Sequence, residues 1–120
     1  MKNIFEKSFD AIFLLKDGLI VDFNNAALII FGYDFKSEMM NISPAVISPE
    51  NQANEENSLA LATSHIKNTI EEGSSRFFWT HRRKNGSNFP AEVTLTRIND
   101  KKDNPLIHGV VIDISEKVKK

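Results

Sequence analysis

The chain has 120 residues, which suits one domain with a single hydrophobic core. Its composition, 41% hydrophobic and 26% charged, is typical of a globular protein, and its net charge of −1 gives no global electrostatic basis for binding DNA or RNA. The absence of cysteine excludes disulfides, thiolate metal sites and thiol nucleophiles.

The N-terminal segment predicts a short helix or arm over residues 4–9, within an arm of residues 1–9. A signal peptide is not indicated, because Glu6, Lys7 and Asp10 interrupt the apolar stretch. The longest apolar runs, such as residues 11–15 and 26–31, are far too short to span a bilayer. We therefore expect a cytoplasmic domain without direct membrane insertion, taken from a longer protein.

The next segment predicts a β-hairpin followed by two short helices. Residues 11–15 and 19–23 form apolar strands joined by a tight turn at Asp17-Gly18. Asn24 is placed to cap a helix over "NAALIIF", and Gly32 is placed to end it. Asp34 is a candidate cap for a second short helix over residues 35–40.

The middle of the chain predicts the longest helix. Ser48 would cap it and Pro49 would occupy its first position, where the missing N–H is harmless. Gly73 would end it, and His65 is expected about 100° from the centre of its apolar face. That face is formed by residues at helical spacing: Leu59, Ala62, Ile66 and Ile70.

The last third predicts three strands, at residues 76–84, 89–98 and 106–114. Asn85-Gly86 is the strongest hairpin signal, because both residues tolerate positive φ. The second of these strands alternates apolar and polar residues, as expected when one face is buried. Two strands, several helices and three strands indicate an α+β fold, with an antiparallel sheet covered on one face by helices.

Motifs for catalysis or metal binding are absent from the sequence. It has no nucleophile elbow and no metal-ligand spacing of histidines, so we expect neither catalytic nor metal-binding residues. Residues 82–84 are basic and follow the aromatic residues 77–79, but with this net charge we interpret them as a solvated rim without nucleic-acid binding.

The strand over residues 76–84 is a candidate wall for a pocket. Its alternation places Phe77, Trp79 and His81 on one face. A buried indole N–H needs a hydrogen-bond partner, which a ligand or a polar core group can supply. The alternative, that Trp79 simply fills the core, stays open at this point.

Three stretches together resemble the PAS domain, a sensor module of bacterial signalling proteins. "DAIFLLKDGLIVDFNNAALIIFGYDFKSEMM" is similar to the opening hairpin and helices of that family. "FFWTHRRKNGSNFPAEVTLTRI" is similar to its "W-x-x-R-R-K-D-G-S-x-F-P-x-E-V" hairpin, with Asn85 where Asp is usual. "HGVVIDISEKVKK" resembles its C-terminal end, with Ser115 in place of a threonine.

The resemblance implies a PAS fold over residues 1–120, with a five-stranded antiparallel sheet in the order 2-1-5-4-3. It also implies an ion pair between Glu38 and either Lys84 or Arg83, with an incidental surface pair as the alternative. The long helix would cover a pocket in members that bind a ligand. The candidate lining residues are Phe31, Leu59, Ala62, Ile66, Phe77, Trp79, His81, Val93 and Leu95.

The resemblance also bears on cofactors. Flavin-adduct and other covalent chromophore members need a cysteine that this chain lacks. Haem-binding members use a histidine on the long helix, and His65 lies off the predicted buried face. We therefore predict no cofactor and leave open a small ligand of unknown identity.

The function implied is that of a non-catalytic sensory domain in a larger bacterial signalling protein. Asp113, Ile114 and Ser115 would pass the signal into an output linker that starts at residues 115–120. The effector, in the same protein, would be a diguanylate cyclase or a histidine kinase, and the domain would form a homodimer. The alternative is a ligand-free dimerisation or interaction module with a filled core.

Overall fold

The structure, a computed structural model, describes residues 2–118. The helices are α1 (Lys2–Lys7), α2 (Asn25–Phe31), α3 (Ser58–Glu72) and α4 (Ser115–Val118). The strands are β1 (Ala11–Lys16), β2 (Leu19–Phe23), β3 (Ser74–Arg82), β4 (Asn88–Arg97) and β5 (Leu106–Asp113). Single 3-10 turns at Lys36–Glu38 and Pro44–Ile47 lie between α2 and α3. Met1 of the predicted arm, and Lys119 and Lys120 of the predicted linker, lie outside the described residues.

The five strands form an antiparallel sheet in the order β2-β1-β5-β4-β3, as predicted. The β3–β4 hairpin pairs Phe77 with Val93 and Trp79 with Ala91, so these side chains share one face. Helix α3 packs against that face. No helix within residues 2–118 is long and apolar enough to cross a membrane.

Asn24 fixes the start of α2 and joins three elements. Its side-chain oxygen accepts from the N–H of Ala27 at 3.2 Å, which confirms the predicted cap, and also from Ile12 of β1 at 3.0 Å. Its amide nitrogen donates to the carbonyls of Phe5 at 2.9 Å and Asp10 at 3.0 Å. Because Asn24 is only 1% exposed, these bonds tie α1, β1 and α2 together away from water.

The predicted start of the long helix is wrong. Helix α3 begins at Ser58, where the side chain of Asn57 accepts from the N–H of Ala60 at 3.0 Å. Residues 49–57 form an irregular loop instead. That loop, "PENQANEEN", has few apolar residues to place at helical spacing, so a helix there would bury little.

The side chain of Gln52 attaches this loop to β3. Its side chain accepts from the N–H of Thr80 at 2.7 Å and donates to the carbonyl of Thr80 at 3.1 Å. It also donates to the hydroxyl of Ser58 at 2.8 Å. Thr80 lies on the edge strand β3, so the amide of Gln52 satisfies backbone groups that the sheet leaves unpaired.

The prediction of a helix over residues 35–40 is also wrong. Only the 3-10 turn Lys36–Glu38 forms there, and Asp34 does not cap it. The carboxylate of Glu38 instead turns back and accepts from the N–H groups of Asp34 at 3.0 Å and Phe35 at 2.9 Å. These bonds satisfy the backbone donors of the turn from its C-terminal end, so a longer helix is not needed to pair them.

Candidate ligand cavity and output segment

A cavity of about 60 Å³ lies between α3 and the sheet. Its wall combines side chains of β1, β3, β4, β5, α3 and the Pro44–Ile47 turn. The lining residues are Phe13, Leu15, Ile20, Pro44, Ile47, Ala62, His65, Ile66, Phe77, Trp79, His81, Val93, Leu95, Gly109 and Val111. The wall is almost entirely apolar, and none of these residues carries a permanent charge.

The structure brings most of the predicted lining residues to this cavity. They are Ala62, Ile66, Phe77, Trp79, His81, Val93 and Leu95. Leu59 was assigned wrongly, because its side chain is 55% exposed at the start of α3. Phe31 is fully buried but lies behind His81, with their ring centroids 5.0 Å apart, instead of on the cavity surface.

His65 was also placed wrongly by the sequence. Its ring lines the cavity and stacks on Phe77 with centroids 3.6 Å apart and an interplanar angle of 5°. Burial lowers the pKa of His65. The buried residues of α3 are Ser58, Ala62 and Thr69, and two of them are polar. A face drawn through the apolar residues alone therefore pointed away from His65.

Trp79 finds its hydrogen-bond partner within the protein. The indole N–H donates to the hydroxyl oxygen of Ser48 at 3.0 Å, and that hydroxyl donates to the carbonyl of Pro44 at 2.8 Å. Ser48 is 1% exposed and ends the turn Pro44–Ile47. The indole therefore needs no ligand to satisfy it, and Ser48 is a site residue that sequence reasoning took for a helix cap.

His81 carries an unsatisfied polar atom in the cavity wall. Its Nδ1 lies 3.1 Å from the carbonyl oxygen of Ile47, which can only accept, so Nδ1 carries the proton. Nε2 is then a bare acceptor, and it has no partner among the residues that the structure describes. Burial lowers the pKa of His81 to about 4, so the ring is neutral at pH 7. Leaving such a buried atom unpaired costs about 1–3 kcal/mol.

The cavity volume sets a limit on what the site can hold. Pockets for drug-sized ligands span about 300–1,000 Å³, and an apolar cavity of about 150 Å³ takes benzene. The volume of about 60 Å³ is well below both. Without movement of the wall, the site accommodates a molecule of a few heavy atoms. Across residues 2–118, no cluster of three or more His, Asp or Glu side chains is arranged to hold a metal ion.

The predicted output residues lie together at the end of β5. The carboxylate of Asp113 accepts from the N–H of Ser115 at 2.9 Å and from its hydroxyl at 2.6 Å, which caps α4. Ile114 is buried, and its N–H donates to the carbonyl of Pro90 at 3.0 Å. The first turn of α4 is thus attached both to the end of β5 and to β4.

Arg83 anchors Asp113 from the β3–β4 turn. Its guanidinium donates to Asp113 at 3.2 Å and to the carbonyl of Ile30, at the end of α2, at 3.1 Å. It also lies over the ring of Phe89, 4.3 Å from the centroid. The interpretation of Arg83 as a solvated rim residue was therefore wrong.

Glu38 pairs with Lys84, one of its two predicted partners. The hydrogen bond from Lys84 lowers the pKa of Glu38, and the same bond raises the pKa of Lys84. Both side chains are open to solvent, with 47% of Lys84 and 25% of Glu38 exposed. Exposed pairs of this kind contribute little to stability, so the pair chiefly fixes the position of the Lys36–Glu38 turn beside the hairpin.

A contiguous set of contacts joins the cavity wall to α4. The ring of His81 lies 5.7 Å from that of Phe89, and Arg83 covers Phe89. Arg83 in turn holds Asp113, which caps α4 through Ser115. Three of these residues, His81, Arg83 and Phe89, belong to one hairpin, so the hairpin contacts both the cavity and, through Asp113, the first turn of α4.

Comparisons with known proteins agree with this architecture. The sequence profile of the PAS domain family matches residues 10–116. Among curated proteins, no sequence is significantly similar to the chain.

Solved structures of PAS domains share the fold. One from Colwellia psychrerythraea is 19% identical, with a TM-score of 0.78, over 96% of this chain and 94% of that one. One from a LuxR-family transcriptional regulator of Burkholderia thailandensis, solved with ethanol, is 21% identical, with a TM-score of 0.78, over 95% and 96%. A domain of a sensory box sensor histidine kinase/response regulator from Geobacter sulfurreducens is 23% identical, with a TM-score of 0.71, over 93% and 90%.

Proposed function

The chain belongs to the PAS domain family, and from that premise we propose that it is the cytoplasmic sensory domain of a larger bacterial signalling protein. A small ligand in the cavity changes the position of the β3–β4 hairpin, and the hairpin passes this change to α4 and a C-terminal effector. The effector is a diguanylate cyclase or a histidine kinase, and the sensor histidine kinase to which one structural relative belongs favours the second of these. The domain itself is non-catalytic.

The observation that supports this proposal is the hairpin shared by the cavity and the output segment. His81 faces the cavity, and Arg83, two residues further on, holds Asp113. A ligand that interacts differently with two positions of the hairpin would shift their populations, which is the thermodynamic requirement for a sensor.

A second candidate is a ligand-free dimerisation or interaction module. The small volume of the cavity, about 60 Å³, favours it, because most of the interior is already filled by side chains. In either case we propose that the domain forms a homodimer through the outer face of the sheet. That face carries the partly exposed apolar residues Leu14, Val110 and Ile112, together with Phe78, which is 74% exposed.

Native mass spectrometry separates the two candidates. Freshly purified protein, sprayed from volatile buffer, gives the mass of the chain with any retained molecule. A bound small molecule at a fixed stoichiometry supports the sensory function. A clean mass that does not change on incubation with cell-extract metabolites supports the filled module, provided that small volatile molecules, which are lost in the spray, also leave the NMR spectrum of the domain unchanged.

Replacing Asp113 tests the output route in the full-length signalling protein. Asp113→Ala removes the cap of α4 and the partner of Arg83, so we expect the effector to lose its response to stimulus while the domain stays folded. Glu92→Ala is the matched control, because it breaks the exposed ion pair with Arg76 on the same hairpin without touching α4. A normal response in Asp113→Ala contradicts the proposed route.

A further inference from the structure

The orientation of His81 is fixed before any ligand arrives. Phe31 and Phe89 lie against its ring, with centroids 5.0 Å and 5.7 Å away, and Nδ1 is bound to the carbonyl of Ile47. The side chain is only 5% exposed. The ring cannot turn to find a partner for Nε2 without breaking these contacts, so the partner has to come to Nε2.

The remaining wall defines what that partner looks like. Trp79, the other fully enclosed polar side chain of the wall, already donates to Ser48. His65, the remaining polar side chain of the wall, is only partly buried and lies flat against Phe77. The other lining side chains are apolar, and no lining residue carries a permanent charge. A charged ligand would lose its hydration without gaining a counter-charge, so the ligand is neutral. It has one hydrogen-bond donor and a short apolar body.

We propose that the cavity binds a small neutral molecule with a hydroxyl or similar donor, of which the short-chain alcohols are the type, and that this donor bonds to Nε2 of His81. The inference rests on the proposed sensory function, because it names the class of ligand for the same cavity. The apolar body lies against Ala62, Ile66, Val93 and Leu95. The bond satisfies the one buried side-chain polar atom that lacks a partner among the described residues.

Ethanol and dimethyl ether are suitable probes, because they have the same atoms but only ethanol donates a hydrogen bond. Titration of the isolated domain at pH 7 is followed by NMR, using the methyl signals of Ile66, Val93 and Leu95 for binding and the ring ¹⁵N signal of His81 for the acceptor. We expect ethanol to bind about three- to tenfold more tightly than the ether. We also expect ethanol alone to move the Nε2 signal towards that of a hydrogen-bonded nitrogen.

Two variants distinguish the effect of the acceptor atom, Nε2 of His81, from the effect of the cavity volume. His81→Leu removes Nε2 and keeps an apolar side chain, so the preference for ethanol should fall to about onefold. Ala62→Leu keeps His81 but places three more carbon atoms in the cavity, so both probes should lose their binding. The comparison of the two probes on the natural chain stands even if His81→Leu does not fold.

The outcomes distinguish the inference from the function on which it rests. Equal binding of ethanol and ether, or an unchanged preference in His81→Leu, overturns the role of His81 and leaves a ligand-binding cavity in place. An Nε2 signal that is already hydrogen-bonded and does not respond to ethanol means that water alone occupies the site, which also overturns the inference. If the methyl signals respond to neither probe, while native mass spectrometry shows a different bound molecule, the ligand class is wrong but the sensory function stands. If native mass spectrometry also gives a clean mass, the sensory function fails with it.

Discussion

The two ends of the core are packed differently although one sheet supports both. At one end, the ring of Phe31 meets those of Phe13 and Phe89 edge-on, with centroids 5.7 Å and 5.3 Å away, and Phe31 is fully buried. At the other end, α3 presents Ala62 to the sheet, and a cavity remains beneath it. We therefore expect the closed end to contribute more to stability than the open end. His81 touches both ends, which suits it to report on the cavity.

The largest expected effect is the loss of an aromatic ring at the closed end. Phe31→Ala should reduce the free energy of unfolding by about 3–5 kcal/mol, because close packing prevents the neighbours from filling the space. Phe77→Ala at the open end should cost under about 2 kcal/mol, because Phe77 is only half-buried and borders a cavity. Urea unfolding followed by circular dichroism measures both. Equal losses would mean that the two ends are equally packed.

The pH dependence of stability tests whether the ring of His81, which lies between the two ends of the core, is buried and neutral in the folded protein. Its pKa is about 4 in the folded protein and about 6.5 in the unfolded chain, so below pH 6.5 the unfolded state binds one more proton. The stability from the neutral ring is fully present above pH 6.5. Below pH 6.5 this contribution to the free energy of unfolding falls by about 1.4 kcal/mol per pH unit, so about 2 kcal/mol is lost by pH 5.

His81→Gln is the control for this loss, because glutamine does not titrate and its amide can still donate to the carbonyl of Ile47. The free energy of unfolding is measured by urea titration at pH 7, 6 and 5 for both proteins. His65, whose pKa is also lowered, is present in both and cancels in the difference. The variant should lose about 2 kcal/mol less than the natural chain between pH 7 and pH 5. Parallel curves would show that His81 is hydrated in the folded state.

Local chemistry explains which parts of the fold the sequence predicts. The cap at Asn24 and the turn at Asn85-Gly86 depend on residues close in the chain, and both signals indicated the right element. The order of the strands came from the resemblance to a family, since no local pattern says that β5 lies between β1 and β4. The shared face of Phe77, Trp79 and His81 followed from strand alternation once the strand was assigned.

The error at the start of α3 arose because side chains there are satisfied by a distant part of the chain. Ser48 accepts from Trp79, which is 31 residues away, and Gln52 pairs with Thr80, which is 28 residues away. Locally, Ser48-Pro49 has the pattern of a helix start, and only the tertiary contact shows that it ends a turn. His65 was placed wrongly for a different reason, because the buried face of α3 includes the polar residues Ser58 and Thr69, which a search for apolar spacing does not count.

The smallest expected effect concerns the hydrogen bond from the indole of Trp79 to Ser48, at the open end of the core. Ser48→Ala leaves the indole N–H of Trp79 without its acceptor and should cost about 1–2 kcal/mol of stability. Trp79 is the single tryptophan of the chain, so its fluorescence reports on this site alone. We expect the emission maximum to shift to longer wavelength as water reaches the indole.

Ser43→Ala is the matched control, because Ser43 caps the same Pro44–Ile47 turn through Ala45 but does not bond to Trp79. It should lower stability without moving the emission maximum. If both variants shift the emission equally, loosening of the turn is enough to admit water, and the Ser48–Trp79 bond has no separate part in closing the cavity. If only Ser48→Ala does so, the open end is enclosed by one hydrogen bond, whereas the closed end is enclosed by packing.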